Sequence, residues 1–223
     1  DYVQWSDTVK SYLTVCDNGN YMRVQAGAIE GNLLVEYYSS DFEPLSTKLI
    51  DNELPIFGAF YDSGNNYYVL SGQENPKQNN SLEVFRITKY DKNWNKIKSC
   101  SLYGANTTVP FDAGSARMTH SGDHLLVRTC HEMYKSSDGN NHQSNVTIEV
   151  DMPSMTITDS YTGIMNVEYG YVSHSFNQFI KTDGTHIVAL DHGDAHPRSA
   201  VLVKYNSDFT TGKFFPSYSQ KGG

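Results

Sequence analysis

The chain has 223 residues and a formal net charge of −8, which argues against a nucleic-acid partner because phosphate-backbone binding needs clustered Lys and Arg. It has no run of about 18 apolar residues, so no membrane-spanning helix is expected. Only 19 % of its residues are charged while Tyr alone numbers 16, a balance that suits strands with an aromatic, half-buried face in a chain long enough to bury a substantial core.

Along the chain one segment recurs four times: a strand, a tight Gly turn, a strand, a polar loop, and a third strand that ends on Tyr-x-x-x-aromatic. The copies align on Gly19, Gly64, Gly122 and Gly184. The first has predicted strands at 11–15, 21–25, 32–38 and 45–50, and the second at 57–61, 66–71, 82–90 and 96–102. The third has them at 115–119, 124–129, 145–150 and 155–160, with a long loop over 134–143. The fourth has them at 176–181, 186–191, 199–205 and 213–215, followed by a frayed tail. Turn pairs Asn18-Gly19, Ser63-Gly64, Ser121-Gly122 and Asp183-Gly184 mark the hairpins. The third strands close on Tyr38 and Phe42, Tyr90 and Trp94, and Tyr205 and Phe209, with a degenerate Val150 and Met155 in the third copy. Trp94, Phe42 and Phe209 are expected to fill one equivalent core slot.

A period of roughly 45–60 residues with several short strands per unit is the mark of propeller blades. The predicted fold is therefore an all-β propeller of four four-stranded blades, at about residues 9–50, 56–102, 112–160 and 173–215. They make up one propeller domain over 1–223, or part of one, with essentially no helix. An open arc would expose two edges, which natural proteins avoid. The array then either closes as a four-blade ring or belongs to a larger ring completed by further blades or a second subunit, and the larger ring is favoured.

Cys16, Cys100 and Cys130 fall at different places in their blades and define no repeated staple, so no disulfide is favoured over one with a free thiol left over. Sequons stand at Asn79, Asn106 and Asn145, matches that arise by chance in an Asn-rich chain, while the Tyr- and Asn-rich, Lys-poor composition leans towards an extracellular or cell-surface protein. An opening on Asp1-Tyr2-Val3, without Met or a signal peptide, reads as a processed chain or a piece of a longer one.

The repeat locates a functional face. The loop after each second strand and the connection into each first strand lie on one face of a propeller, and the unusual residues sit there. Glu74, Glu132 and Asp194 stand at one offset from the turn glycine in three copies, beside His131 and the block His192-Gly193-Asp194-Ala195-His196-Pro197-Arg198. His174, Asn177 and Gln178 make an inner strand polar where it should be apolar. Imidazoles and carboxylates at a funnel mouth can bind a ligand or move protons; equally, they can brace long loops. Arg117 is the best grip for an anion, against a plain ion pair with Asp112. His120, His124 and His186 read as solvated turn residues. No spacing typical of a metal site occurs, so no metal ligands are assigned, and any cofactor stays unknown.

The blade pattern resembles that of secreted or surface β-propeller proteins of bacteria over nearly the whole chain. The third-strand endings also loosely resemble those of bacterial arylsulfotransferases, propellers with an active-site His at the channel; no segment here matches that active site, so no residue is carried over. The expected function is an extracellular binding module for a glycan or peptide, held by Arg117, Glu132, Asn177, Gln178, Asp194, His196 and Arg198. The alternative is a propeller enzyme, a hydrolase, lyase or group transferase, with His174, His192 or His131 as the acting imidazole.

Overall fold

The computed structural model of the chain describes residues 7–164, 175–182, 187–193, 200–205 and 211–215; for several of these in the fourth sheet it describes the backbone alone. All regular elements among them are strands, β1 (Ser11–Val15) to β17 (Thr211–Phe215).

Period-two alternation dictates the local structure. In β2 (Tyr21–Ile29) Met22, Val24 and Ala26 are buried and the residues between them are half-exposed, as expected of a pleated strand with unlike faces. The first blade is the antiparallel meander of β1, β2, β3 (Asn32–Tyr38) and β4 (Pro44–Asp51). The second repeats it with β5 (Ile56–Asp62), β6 (Tyr67–Gly72), β7 (Glu83–Tyr90) and β8 (Lys96–Tyr103). The third contains β10 (Arg117–Ser121), β11 (His124–Lys135), β12 (Asn141–Asp151) and β13 (Thr156–Tyr161), and the fourth β14 (Ser175–Thr182), β15 (Ile187–Gly193), β16 (Ala200–Tyr205) and β17. Four successive four-stranded meanders, each with its first strand innermost, define a β-propeller.

Two features depart from the expected pattern. The segment 134–143 is no long loop: β11 and β12 run past the usual blade height and are closed by a tight turn, with Ser136 N–H bonded to Asn140 O (2.9 Å) and Gly139 at φ +86°. The Asp138-Gly139 pair was the signal for that hairpin. The second feature is an extra strand, β9 (Thr107–Pro110), which pairs with the extended end of β11 in line with β10.

Packing between blades forms the core. Met22, Val24, Leu33 and Val35 of the first blade meet Phe57, Phe60, Tyr67, Val69, Tyr90 and Trp94 of the second. Tyr68, Leu70, Val84, Phe85 and Ile87 on the opposite face of the second blade meet Met118, Leu125, Val127, Val146, Ile148 and Met155 of the third. Into this second seam Phe111 drives its ring from the connection between β9 and β10, at φ +62°. Gly58 and Gly72 make room for it: a Cβ at Gly58 would stand 2.5 Å from the ring, and one at Gly72 2.9 Å. Trp94 takes the core slot expected of it, 4 % exposed, but Phe42 does not and is 70 % exposed.

Among the described residues the three cysteines are free thiols. The sequon at Asn145 is buried, so a glycan there is incompatible with the folded blade. Because Phe111 both fills the seam and sets the entry to β10, Phe111→Ala is expected to cost about 3–5 kcal/mol of stability, read as a shift of the denaturant midpoint with an unchanged slope.

Candidate functional site

The inner strands carry the candidate site. Arg117 opens β10 and is half-buried; its Nη1 donates to the Ala116 carbonyl at 3.1 Å, and its guanidinium lies 5.6 Å from the ring centroid of Phe179 on β14. Burial raises the pKa of the Tyr12 phenol, and the nearby Arg117 charge opposes that rise. Tyr12 itself packs edge-on against Phe57 and Phe60 of the second blade. One guanidinium thus sits beside the inner strand of the fourth blade, near enough for its charge to act on the Tyr12 phenol of the first. No carboxylate among the described residues forms an ion pair with it, and Asp112 instead accepts a 2.8 Å hydrogen bond from Gln143 Nε2.

Beside it, the third and fourth blades meet through polar side chains. The Gln178 N–H donates to Ser115 Oγ (2.9 Å), and Gln178 Nε2 donates to Asn145 Oδ1 (2.6 Å). Ser115 Oγ also lies 3.4 Å from Asn177 Oδ1. Behind them Arg128, fully buried, donates to Thr147 Oγ1 at 3.0 Å. Gln178 is buried in this seam and Asn177 half-buried at its edge. Asn145, Ser115 and Arg128 were not singled out as members of this seam, since a polar residue in a strand reads as surface until the facing blade is known. At the inner edge Gly114 abuts Cys130: a Cβ there would lie 2.3 Å from the Cys130 Cβ.

His131 and Glu132 are neighbours on β11 and so point to opposite faces. Each bonds a residue of β9. His131 Nδ1 shares a 2.6 Å hydrogen bond with Thr107 Oγ1, and Glu132 Oε1 accepts from Thr108 Oγ1 at 2.5 Å. The two threonines lie in a β-branched run, Thr107-Thr108-Val109, which was the available signal for β9. His131 is fully buried. That desolvation pulls its pKa down to about 3, and the Thr162 carbonyl only partly offsets it. The ring's Nε2 has no hydrogen-bond partner among the described residues. The imidazole is neutral and sealed.

The other expected site residues are placed less fully. Glu74 is exposed in the connection after β6. His192 belongs to β15, opposite Asn177 in register. His174, Asp194, His196 and Arg198 lie outside the described residues, as does His186. His120 is not simply solvated, because its Nδ1 shares a 2.7 Å hydrogen bond with the Tyr61 hydroxyl. His124 is half-exposed and lies 2.6 Å from Glu149 Oε1.

No family model matches the chain and no curated protein matches it. Solved structures of similar shape include an α-L-arabinofuranosidase from Clostridium thermocellum, with 11 % identity, 91 % of this chain and 70 % of that one covered, and a TM-score of 0.48. A GH43_1 enzyme from Xanthomonas citri complexed with xylotriose gives 10 % identity, coverages of 95 % and 74 %, and 0.47. An ACO/RPE65 chimera gives 9 %, coverages of 90 % and 58 %, and 0.47. The chain spans well under two thirds of that chimera's length. At such identities and scores these likenesses carry no argument about activity.

The burial of His131 has a measurable consequence. Its folded pKa lies below the usual 6.5, so the unfolded chain binds the extra proton, and the stability this group contributes is full above pH 6.5 and lost as the pH falls towards 3. The loss is on the order of 4 kcal/mol. Urea denaturation from pH 7 to pH 4 should show a shallower pH dependence for His131→Gln than for the natural chain; equal slopes would contradict the buried, neutral assignment.

Proposed function

We propose that this propeller is a binding module for glycans bearing a carboxylate or sulfate, with Arg117 holding the acidic group. The observation that carries the reading is the guanidinium between the inner strands of the third and fourth blades, half-buried and with no carboxylate partner among the described residues. An arginine so placed offers paired N–H donors to a planar or tetrahedral anion, and partial desolvation strengthens the contact. Phe179, 44 % exposed beside it, offers an apolar face against which a sugar ring can rest. Asn177 and Ser115 add polar groups within reach of the same edge. The net charge of −8 does not oppose this, since a contact at hydrogen-bonding distance is governed by local groups. Such a module acts outside the cell or on its surface, where acidic glycans are displayed.

An enzyme at the same funnel needs an imidazole or carboxyl pair within about 3–4 Å or one water of each other. His131 is fully buried and bonded to Thr107, while Glu132 on the opposite face of the strand is bonded to Thr108, so these two do not form such a pair. The binding reading rests on Arg117; the other imidazoles an enzyme could use are His174, outside the described residues, and His192, placed by its backbone alone.

A glycan array followed by calorimetry tests it. Uronate-bearing or sulfated oligosaccharides should bind in preference to their neutral counterparts. Arg117→Gln should weaken that binding roughly 10- to 100-fold while leaving the melting temperature unchanged, and Arg117→Lys should fall between. Selection of neutral glycans alone, or undiminished binding by Arg117→Gln, would sink the proposal.

A further inference from the structure

We propose that the cleft between the second and third blades, on the glycine-turn side of the array, is a second binding site, for a free α-amino acid held as its zwitterion. The cleft has a volume of about 290 Å³ and lies between two blades of the same chain, at the turns that join β5 to β6 and β10 to β11. Arg117 starts β10 and the cleft meets its far end, about 13 Å away at roughly 3.3 Å per residue, so the two sites are separate. Tyr61, Tyr68 and Lys89 stand in one cross-strand row of β5, β6 and β7, on the face turned to the third blade. Tyr68 is fully buried, yet its hydroxyl has no hydrogen-bond partner among the described residues. A buried donor in that state is rare in folded proteins and calls for an acceptor. Burial, and after it the charge of Asp123, push the phenol up to about 12, so it stays protonated and can donate.

Two opposite charges line the same cleft. Lys89 Nζ lies 6.0 Å from the Tyr68 ring centroid and donates to the Met152 carbonyl at 3.0 Å. From the third blade come His120, whose Nδ1 is taken up by the Tyr61 hydroxyl at 2.7 Å, and the exposed carboxylate of Asp123. Among the described residues neither Lys89 nor Asp123 forms an ion pair, with each other or with a third group. The corresponding cleft one seam earlier, about 270 Å³ in volume, has the same frame with its groups satisfied. There Lys92 is held by Asp62 at 2.7 Å and lies 4.3 Å from the Tyr67 ring centroid, while the Tyr37 hydroxyl accepts from Trp94 Nε1 at 3.1 Å. At the first seam lysine, carboxylate and phenol are all engaged within the protein. At the second only the lysine has a hydrogen-bond partner, a single carbonyl.

Opposite charges that line one small cleft without pairing select a ligand carrying both. In the complex Lys89 Nζ exchanges the Met152 carbonyl for the ligand's α-carboxylate, which brings that carboxylate over the phenol to accept from the Tyr68 hydroxyl. The α-ammonium pairs with Asp123. A plain anion would meet Asp123 and a plain cation Lys89, each at a like-charge cost. A sugar offers neutral hydroxyls only and would desolvate both charges without an opposite charge in return. Met152 and Pro153 give the cleft an apolar edge for an aliphatic side chain. The volume lies near the lower end of the roughly 300–1,000 Å³ typical of ligand sites, which suits one amino acid and not a longer peptide.

Equilibrium dialysis of the natural chain against labelled leucine, valine and alanine tests this. At least one should bind, and its N-acetyl and carboxamide forms, which lack one charge each, should bind roughly 10-fold or more weakly. Asp123→Asn and Lys89→Met should each weaken the binding about 10- to 100-fold; Asp123 is exposed, so its variant carries the test should Lys89→Met fold poorly. Tyr68→Phe should weaken it about 3- to 10-fold while the melting temperature holds or rises, because an unpaired buried hydroxyl has been removed. Arg117→Gln should leave the binding unchanged, so this site and the acidic-glycan site stand or fall separately. No binding of the three amino acids, equal binding of the blocked forms, undiminished binding by Asp123→Asn, or a preference for a methyl glycoside or inorganic phosphate would each overturn the proposal.

Discussion

The second blade, in the middle of the array, depends on having its two sheet faces covered by neighbouring blades. Both faces of this meander carry large apolar residues, so on its own it would leave hydrophobic surface in water. The second blade shows the satisfied state: Tyr67 and Val69 are buried against the first blade while Tyr68 and Leu70, their chain neighbours, are buried against the third. Full burial of such a side chain is worth roughly 1.5–3 kcal/mol relative to exposure, and the seams are assembled from many. This is why repeat proteins behave as stacks whose stability resides in nearest-neighbour interfaces.

The seams are not alike, and the difference bears on function. Those joining the first three blades are aromatic and aliphatic, wedged by Trp94 in one case and Phe111 in the other. The seam between the third and fourth blades is built from Ser115, Asn145, Gln178 and Arg128. Buried polar groups demand specific partners and hold two surfaces in one register, whereas apolar packing tolerates small slips. The register so held places β14 against β10 and sets Phe179 beside Arg117. The extended β11–β12 hairpin and β9 lengthen the same blade at one end, with His131 and Glu132 bonding β9 to β11. Those two residues are thus explained by the need to hold a short added strand.

Much of the architecture was legible because it rests on local rules. Glycine turns and period-two alternation, repeated four times, are enough to mark four meanders, and the predicted strands fall within a few residues of those found. The third blade was read less well. Its second and third strands continue to Lys135 and from Asn141, where charged and polar residues interrupt the apolar pattern, and the Asp138-Gly139 turn was the overlooked sign. Phe42 illustrates the opposite limit: its sequence context matches that of Trp94, yet its surroundings do not, because burial depends on what stands across the seam.

The amino-acid sequence by itself therefore determined the class of fold, the order of strands and the residues that turn the chain, since each follows from interactions within a few dozen residues. It also pointed to Arg117, because a cation at the start of an inner strand is anomalous on local grounds alone. Only the tertiary structure decided which polar residues are braces and which remain available. His131 could be told from a reactive imidazole only once Thr107 and the covering strand were in place, since its loss of charge comes from desolvation by residues distant in the chain. Arg117 likewise differs from an ordinary ion-paired arginine because Asp112, near it in sequence, is bonded to Gln143 in space.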